Sequence, residues 1–475
     1  MNGLFIAAGL VCAFLFLFLR PRYKVLIAFF FMTLGFNVIP RYVFNLEVWD
    51  PGAVLLLIAG VQLLFMKTAA EPIKTGYLSI LKLFIVWLTF CLLWSLLIYQ
   101  YPLLDTLKVS RQIIIGYMSV FIFIRLFRVD PKSFDFFLKF FYWTTFVLML
   151  FCIAQHQLNL DILFIRETEY GNTIRLIPTF FPICLFFLWV LLSKIFSHEK
   201  MQWHELVYIF ITFLVTAITY TRGIYISVAA VFLLMLMILL YYRKIGFSQT
   251  FLFFTCAVSL ILVLTITGAM DRVLSRAYSG IELVTGLDKN HQKKAKDNYD
   301  TFTGRILTAK ERFDMVAHKN PVVGFGFIHE DNIPRNLRKN LNYGSVITTP
   351  KYLETYRYTT NYVLALYTAD IGWPNIVLQT GFIGFFIFIL FIICFLWNWL
   401  RNRRLGGNEF LCIRLGVFLQ MVTFVLLMFN GTPLSYLVQI PSFFIAGYAF
   451  LTHQAQESQN KANPENISGE LDYVC

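Results

Sequence analysis

The sequence predicts an all-α, polytopic integral membrane bundle of about 12–13 transmembrane helices, with one large external loop carrying short amphipathic helices. Three observations predict it. Hydrophobic residues make up 58% of the chain and aromatics 18%, while charged residues make up only 14%, a balance far from that of a soluble domain. Apolar runs of membrane length recur from the N-terminus onward; roughly 20 apolar residues span a hydrocarbon core of about 30 Å, because each helical residue rises about 1.5 Å. Finally, residues 271–373 turn abruptly polar before apolar runs resume.

The runs, in order, are 3–19, 25–39, 52–66, 78–99, 113–127, 134–154, 176–196, 205–220, 224–242, 250–268, 375–400, 410–429 and 434–451. The second, third and fifth are short for a span. The chain divides accordingly into an N-terminal transmembrane bundle (1–268), a large external loop (269–374), C-terminal transmembrane helices (375–452) and a polar cytoplasmic tail (453–475). Run 3–19 reads as a retained span, since Arg20, Arg22 and Lys24 follow it instead of preceding it and no small-residue cleavage site appears.

Orientation follows from the bias of Lys and Arg toward loops that are not translocated. Alternate loops carry Arg20, Arg22 and Lys24; Lys67 and Lys74; Arg125, Arg128 and Lys132; Lys194 and Lys200; Arg243 and Lys244; and Arg401, Arg403 and Arg404. This set is predicted to be cytoplasmic, which puts the N-terminus, the 158–175 loop and the large loop outside. The net charge of +13 is then mainly a topology signal and does not point to nucleic acid, which a basic patch on a soluble domain would mark.

Cysteine and histidine usage narrows the chemistry. Cys12, Cys91, Cys152, Cys184, Cys256, Cys394 and Cys412 lie within apolar runs and Cys475 ends the chain, so the external loop has no disulfide framework. No Cys/His cluster has zinc-ligand spacing, and neither a metal nor another cofactor is expected.

The distinctive charges sit at the external boundary. Arg222, in Thr221-Arg222-Gly223, lies between two apolar runs with almost no loop, against the positive-inside trend. A guanidinium there can bind phosphate oxygens bidentately, or it can snorkel to lipid headgroups. Arg305 opens a segment whose apolar residues Ile306, Leu307, Ala309, Phe313, Val316 and Ala317 recur at helical spacing, so 305–318 is predicted to be an amphipathic helix ended by Asn320-Pro321. Its charges, with Lys310 and Arg312, either serve an anionic group or form a solvated face. Asp370, in Ala369-Asp370-Ile371-Gly372-Trp373, stands just ahead of run 375–400, where a carboxylate needs a partner or a task; helix capping is the alternative. Trp373 suits an interfacial belt.

Three stretches together carry a family resemblance: Tyr220-Thr221-Arg222-Gly223; Gly304-Arg305 with Asn320-Pro321 and Gly324-Phe325-Gly326; and Asp370 with Gly381-Phe382-Ile383-Gly384. The chain resembles the O-antigen ligase and Wzy-type polymerase superfamily, bacterial inner-membrane glycosyltransferases that take glycans from a polyprenyl-diphosphate carrier. The third stretch departs from the ligase pattern, in which a His-Asn pair stands where this chain has Asp370-Ile371. That departure favours the polymerase branch.

The resemblance implies that Arg222 and Arg305 bind the diphosphate and that Asp370 takes the acceptor's proton. Arg111, Arg166 and Arg175, on the same predicted side, together with Arg312, are candidate substrate-binding residues. The expected partners are a polyprenyl-diphosphate-linked glycan, membrane lipid, and a chain-length regulator and flippase; nucleic acid is not among them. Three readings stand beside this one: a ligase that transfers the glycan to lipid A core, a transporter of lipid-linked glycan, and a purely structural membrane scaffold, which would explain neither the external Arg pair nor Asp370. A transporter's internal repeats and charged mid-membrane helices are not evident in the sequence.

Overall fold

A computed structural model of the chain describes residues 18–39, 42–43, 46–47, 49–67, 73, 75–158, 160–170, 173–196, 200–219, 222–241, 309, 312–318, 320–328, 372–402, 408–429 and 438–462. Its helices, in chain order, are α1 (Pro21–Met32), α2 (Gly35–Val38), α3 (Trp49–Phe65), α4 (Gly76–Leu97), α5 (Leu103–Val129), α6 (Lys132–Leu158), α7 (Phe181–Phe196), α8 (Trp203–Ile218), α9 (Arg222–Tyr241), α10 (Trp373–Arg401), α11 (Asn408–Leu427) and α12 (Gln439–Ala462). Among the described residues, five stretches are long and apolar enough to cross a membrane: Gly76–Leu97, Leu103–Val129, Lys132–Leu158, Gly223–Tyr241 and Gly372–Arg401. α3, α7, α8 and α11 contain shorter apolar helices. Expected runs 3–19 and 250–268 lie outside the described residues, apart from the last two positions of the first.

Local chemistry sets the helix ends. Pro21 opens α1, where its fixed φ suits a first turn and its missing N–H costs nothing. At Thr33 the backbone leaves helical geometry while its hydroxyl bonds the Phe29 carbonyl at 2.7 Å, so the expected 25–39 span is broken into α1 and α2. Asp130 and Pro131 turn α5 into α6. A reciprocal cap starts α8, with the Gln202 N–H donating to Glu205 Oε2 at 2.9 Å.

Among the described residues, two short antiparallel hairpins interrupt the helical pattern, β1–β2 (Tyr42–Val43 with Leu46–Glu47) and β3–β4 (Arg166–Tyr170 with Thr173–Ile177). The second takes residues 176 and 177 out of the expected 176–196 span. At the other end of the chain, α12 continues past position 453 to Ala462, so the polar tail begins as helix.

In lipid, tight side-chain packing holds helices together, since the surrounding acyl chains are as apolar as leucine. α12 crosses α5 closely enough that a Cβ on Gly116 would overlap Val438, and Ser442 Oγ bonds the Gly116 carbonyl at 2.8 Å. Beside this crossing, Phe443 sits among aromatic rings of α1, α5 and α6: Phe29 at 5.8 Å, Phe123 at 5.5 Å, Phe134 at 5.9 Å and Phe141 at 5.2 Å. Such pairs are each worth about 0.5–1.5 kcal/mol beyond the area they bury. α11 packs on α7, where Trp189 Nε1 donates to Thr423 Oγ1 at 3.1 Å, and α10 packs on α4. Large apolar side chains point outward from the bundle: Leu64 (71% exposed), Val86 (64%), Phe210 (64%) and Phe386 (66%). Distributed over several helices, they need a bilayer as solvent.

The helix ends sort into two sets. At one end, Arg22 faces Asp130 (3.8 Å), Arg125 donates to the carbonyls of Leu63 (3.1 Å) and Met66 (2.6 Å), Lys194 pairs with Glu205 (2.7 Å), and Arg414 donates to the Asn402 carbonyl (2.6 Å). Arg125 and Arg414 thereby satisfy carbonyls that end α3 and α10, a favourable place for a cation in the helix dipole. At the other end, Arg111 pairs with Asp50, Asn37 bonds Thr179, and the Gly372 N–H donates to the Met428 carbonyl at 2.8 Å. Among the described residues, Arg22, Arg125 and Lys194 of the basic connections read from the sequence lie at the first end.

Candidate active site

At the second end, a loop is hydrogen-bonded into a broken helix. α10 is not continuous: Gly381 has φ 67° and ψ −172°, which separates 373–380 from 382–401. Trp373 lies 5.9 Å from Phe385 and 6.1 Å from Phe388, ring to ring, whereas twelve residues of unbroken helix would hold positions 373 and 385 about 18 Å apart. The first piece therefore folds back on the second. The second piece, roughly 20 residues at about 1.5 Å each, is long enough to span alone.

In an unbroken helix the Phe382 N–H would donate to the Leu378 carbonyl. Here both groups bond to residues 320–328 instead. Phe382 N–H donates to the Pro321 carbonyl at 2.8 Å, and the Leu378 carbonyl accepts from the Phe325 N–H at 2.7 Å. Freed backbone at membrane depth has to find partners within the protein, and this exchange supplies them. Trp87 of α4 takes a further carbonyl, that of Thr380, at 2.9 Å.

Glycine is required at the contact. Gly324 has φ 70°, and a Cβ there would stand 2.5 Å from the Leu378 oxygen and 2.7 Å from the Gly381 nitrogen. A Cβ on Gly381 would overlap the Val322 carbonyl. Both positions combine left-handed backbone with no room for a side chain.

The end of α4 clamps the loop from the other side. Tyr99 accepts from the Asn320 amide and donates to the Gly324 carbonyl at 2.9 Å. Tyr101 donates to the Phe325 carbonyl at 3.2 Å, and Ser95 Oγ accepts from the Phe327 N–H at 2.9 Å. Burial pushes both phenols above their usual range, so they stay protonated and able to donate. Trp87, Ser95, Tyr99 and Tyr101 were not anticipated from the sequence. Their only signal was a Trp, a Ser and two Tyr near the end of an apolar run, which reads equally well as an interfacial belt.

Residues 312–318 form a helical turn, part of the helix expected over 305–318, and its apolar face lies on α10. Phe313 lies 5.7 Å from Phe385, ring to ring, and Val316 is buried with Phe325, Ile328, Val377 and Leu378. Arg312 is only 1% exposed, with Nη1 3.6 Å from Met315 Sδ, so it does not belong to a solvated face. Trp373, partly exposed at the start of α10, packs on Phe385, Phe388 and Phe429.

The other expected site residues fall as follows. Arg222 is the first residue of α9, and Tyr225 in the same first turn donates its hydroxyl to the Ala217 carbonyl of α8 at 2.7 Å. Arg166 and Arg175 lie in the β3–β4 hairpin, whose register pairs Thr168 with Arg175 and Arg166 with Ile177. Arg111 lies over the Trp49 ring (5.7 Å) as well as beside Asp50. Arg305 and Asp370 lie outside the described residues. Among the described residues, no three His, Cys, Asp or Glu side chains group as a metal site.

Fold and site together define a multi-pass helical membrane protein, in which an extended loop completes a broken helix at one end of the bundle. Residues 207–389 match the family model described as O-Antigen ligase, and this match supports membership of the O-antigen ligase/polymerase superfamily. No curated protein matches the chain. The family implies a membrane glycosyltransferase-like enzyme that handles a lipid-linked glycan. The matched stretch includes Arg222, Arg305, Arg312, Asp370 and the break at Gly381, and it leaves out Arg111, Arg166 and Arg175.

Proposed function

We propose that this protein polymerises lipid-linked oligosaccharide repeat units into O-antigen, capsular or exopolysaccharide, by metal-independent glycosyl transfer from polyprenyl diphosphate. The carrying observation is the exchange of hydrogen bonds between Pro321, Phe325, Leu378 and Phe382, which joins two of the three stretches behind the family resemblance. The reaction is placed at this end, opposite the basic helix ends, hence on the external face of a bacterial inner membrane. In the step proposed, the acceptor hydroxyl oxygen bonds to the anomeric carbon and the carbon–oxygen bond to diphosphate breaks. The hydroxyl proton passes to the Asp370 carboxylate, and the departing diphosphate keeps the bonding electrons.

Charge builds on the leaving diphosphate, and guanidiniums fixed beside it stabilise the transition state in a site of low dielectric. Arg222 and Arg305 take that role. The start of α9 suits it, because the unpaired N–H groups and positive dipole end of a helix favour an anion. Arg111, Arg166, Arg175 and Arg312 are assigned to substrate binding, Arg166 and Arg175 on paired strands of one hairpin. A chain-length regulator and a flippase are its proposed partners.

The family description favours a second reading, an O-antigen ligase with lipid A core as acceptor. Asp370-Ile371, where ligases carry His-Asn, favours polymerase.

Arg222→Lys tests the diphosphate assignment. Lysine keeps the charge but lacks the planar fork that engages two phosphate oxygens at once. Cells expressing the Lys variant at normal level are expected to lose most of the long-chain glycan ladder on a gel. A wild-type ladder would mean that Arg222 only meets headgroups.

A further inference from the structure

A cavity of about 450 Å³ opens at the end of the bundle opposite the proposed reaction, between the first turns of α8, the N-terminal part of α6, the last turns of α7 and the start of α11. Its volume lies within the range of about 300–1,000 Å³ usual for small-molecule sites. Phe186, Phe187, Val190 and Leu191 of α7 and Ile413 of α11 give it apolar walls, and Trp143 of α6, half exposed, stands at its side. The polar lining is confined to Lys139, Lys194, Gln202, His204 and Glu205, with the Tyr142 hydroxyl between.

The charges in that lining do not cancel. Lys194 and Glu205 neutralise each other at 2.7 Å, and the second Glu205 oxygen is taken by the Gln202 N–H at 2.9 Å. His204 is held between the Tyr142 hydroxyl (3.0 Å) and Gln202 Oε1 (2.5 Å), and its ring lies 5.3 Å from that of Trp143. Lys139, exposed at the mouth, has no ion-pair partner among the described residues. Among the lining side chains one net positive charge therefore sits over an apolar cleft, and Trp203, 75% exposed, stands one residue from His204.

We infer that this cavity binds one anionic glycerophospholipid of the leaflet at the basic end, with its phosphate at Lys139 and an acyl chain along Phe186, Phe187 and Val190. Free phosphate would leave the apolar walls unfilled, and a zwitterionic lipid would leave the Lys139 charge unanswered. Basic pockets between transmembrane helices on the cytoplasmic side recognise anionic headgroups by this combination. The inference stands on the cavity and its charges alone and does not depend on the proposed reaction.

Trp143 provides the readout. The full chain is reconstituted in phosphatidylcholine vesicles containing an equal fraction of either phosphatidylglycerol or phosphatidylcholine brominated on its acyl chains. Fluorescence quenching is recorded for wild type and Trp143→Phe, so that the difference isolates this residue from the other tryptophans. The Trp143-dependent quenching is expected to be about fivefold stronger for brominated phosphatidylglycerol at limiting fractions, the factor one lysine near an anionic surface supplies. Lys139→Gln should bring the ratio close to one, Lys139→Arg should keep it, and Lys82→Gln, on a different helix, should leave it unchanged. Equal quenching by both lipids in wild type would overturn the inference, whether or not the Lys139 variants fold. So would quenching by neither, which would mean that protein covers the cleft.

Discussion

Asp370→Asn is expected to leave the protein folded, inserted and able to bind lipid-linked substrate, while glycan transfer falls by roughly two to four orders of magnitude. Asparagine keeps the size of the side chain and an oxygen able to cap a helix, but it cannot take up the acceptor's proton. The substitution therefore separates a base from a cap. The check is a single-turnover transfer assay beside a lipid-linked substrate binding assay on the same preparation. Retained transfer in Asn, with poor folding of Asp370→Ala, would identify a cap and remove the proposed base.

Gly381→Val is expected to abolish transfer to a comparable degree, at least a hundredfold, for a mechanical reason. A β-branched residue at φ 67° is strained, and its Cβ would overlap the Val322 carbonyl. The strain alone costs on the order of 1–3 kcal/mol, and relieving it means pulling residues 320–328 out of the break. Phe382 N–H and the Leu378 carbonyl would then lose their partners at membrane depth. Ile383→Val, on an exposed side chain two residues away, should behave as wild type. Transfer and detergent melting temperature, measured together on both variants, check this. Full activity in Gly381→Val would mean that the joined loop and broken helix are not needed for the reaction.

Most of the helical architecture was legible in the sequence, because a bilayer enforces one simple rule, a run of apolar residues long enough to cross it. That rule located α4, α5, α6, α9 and α10. It does not register a local backbone departure inside an apolar run, so the breaks at Thr33 and Gly381 were missed although the residues around them are apolar. The β3–β4 hairpin was legible and overlooked: five-residue strands separated by Gly171-Asn172 are a two-residue hairpin signal.

At the site, the sequence singled out Asn320-Pro321, Gly324-Phe325-Gly326 and Gly381-Phe382-Ile383-Gly384 as two separate stretches, and the structure joins them. What the sequence did not disclose is the pairing itself, since a backbone hydrogen bond between residues some 60 positions apart leaves no trace in side-chain identity. Tyr99 and Ser95 were hidden for the same reason, since the groups they hold are the Gly324 carbonyl and the Phe327 N–H. Arg312 was legible as a charge on an amphipathic helix, but the sequence left open which face would be covered; Val316 and Phe313 place that face on α10.

The most direct measurement takes purified protein in liposomes with a polyprenyl-diphosphate-linked repeat unit as the sole substrate, and follows both glycan length and release of polyprenyl diphosphate. The proposal predicts lipid-linked glycans of two or more repeats, one polyprenyl diphosphate released for each bond formed, with no loss of rate in chelator. Movement of unchanged lipid-linked glycan between leaflets without new bonds would contradict it, and so would transfer that occurs only when lipid A core is supplied.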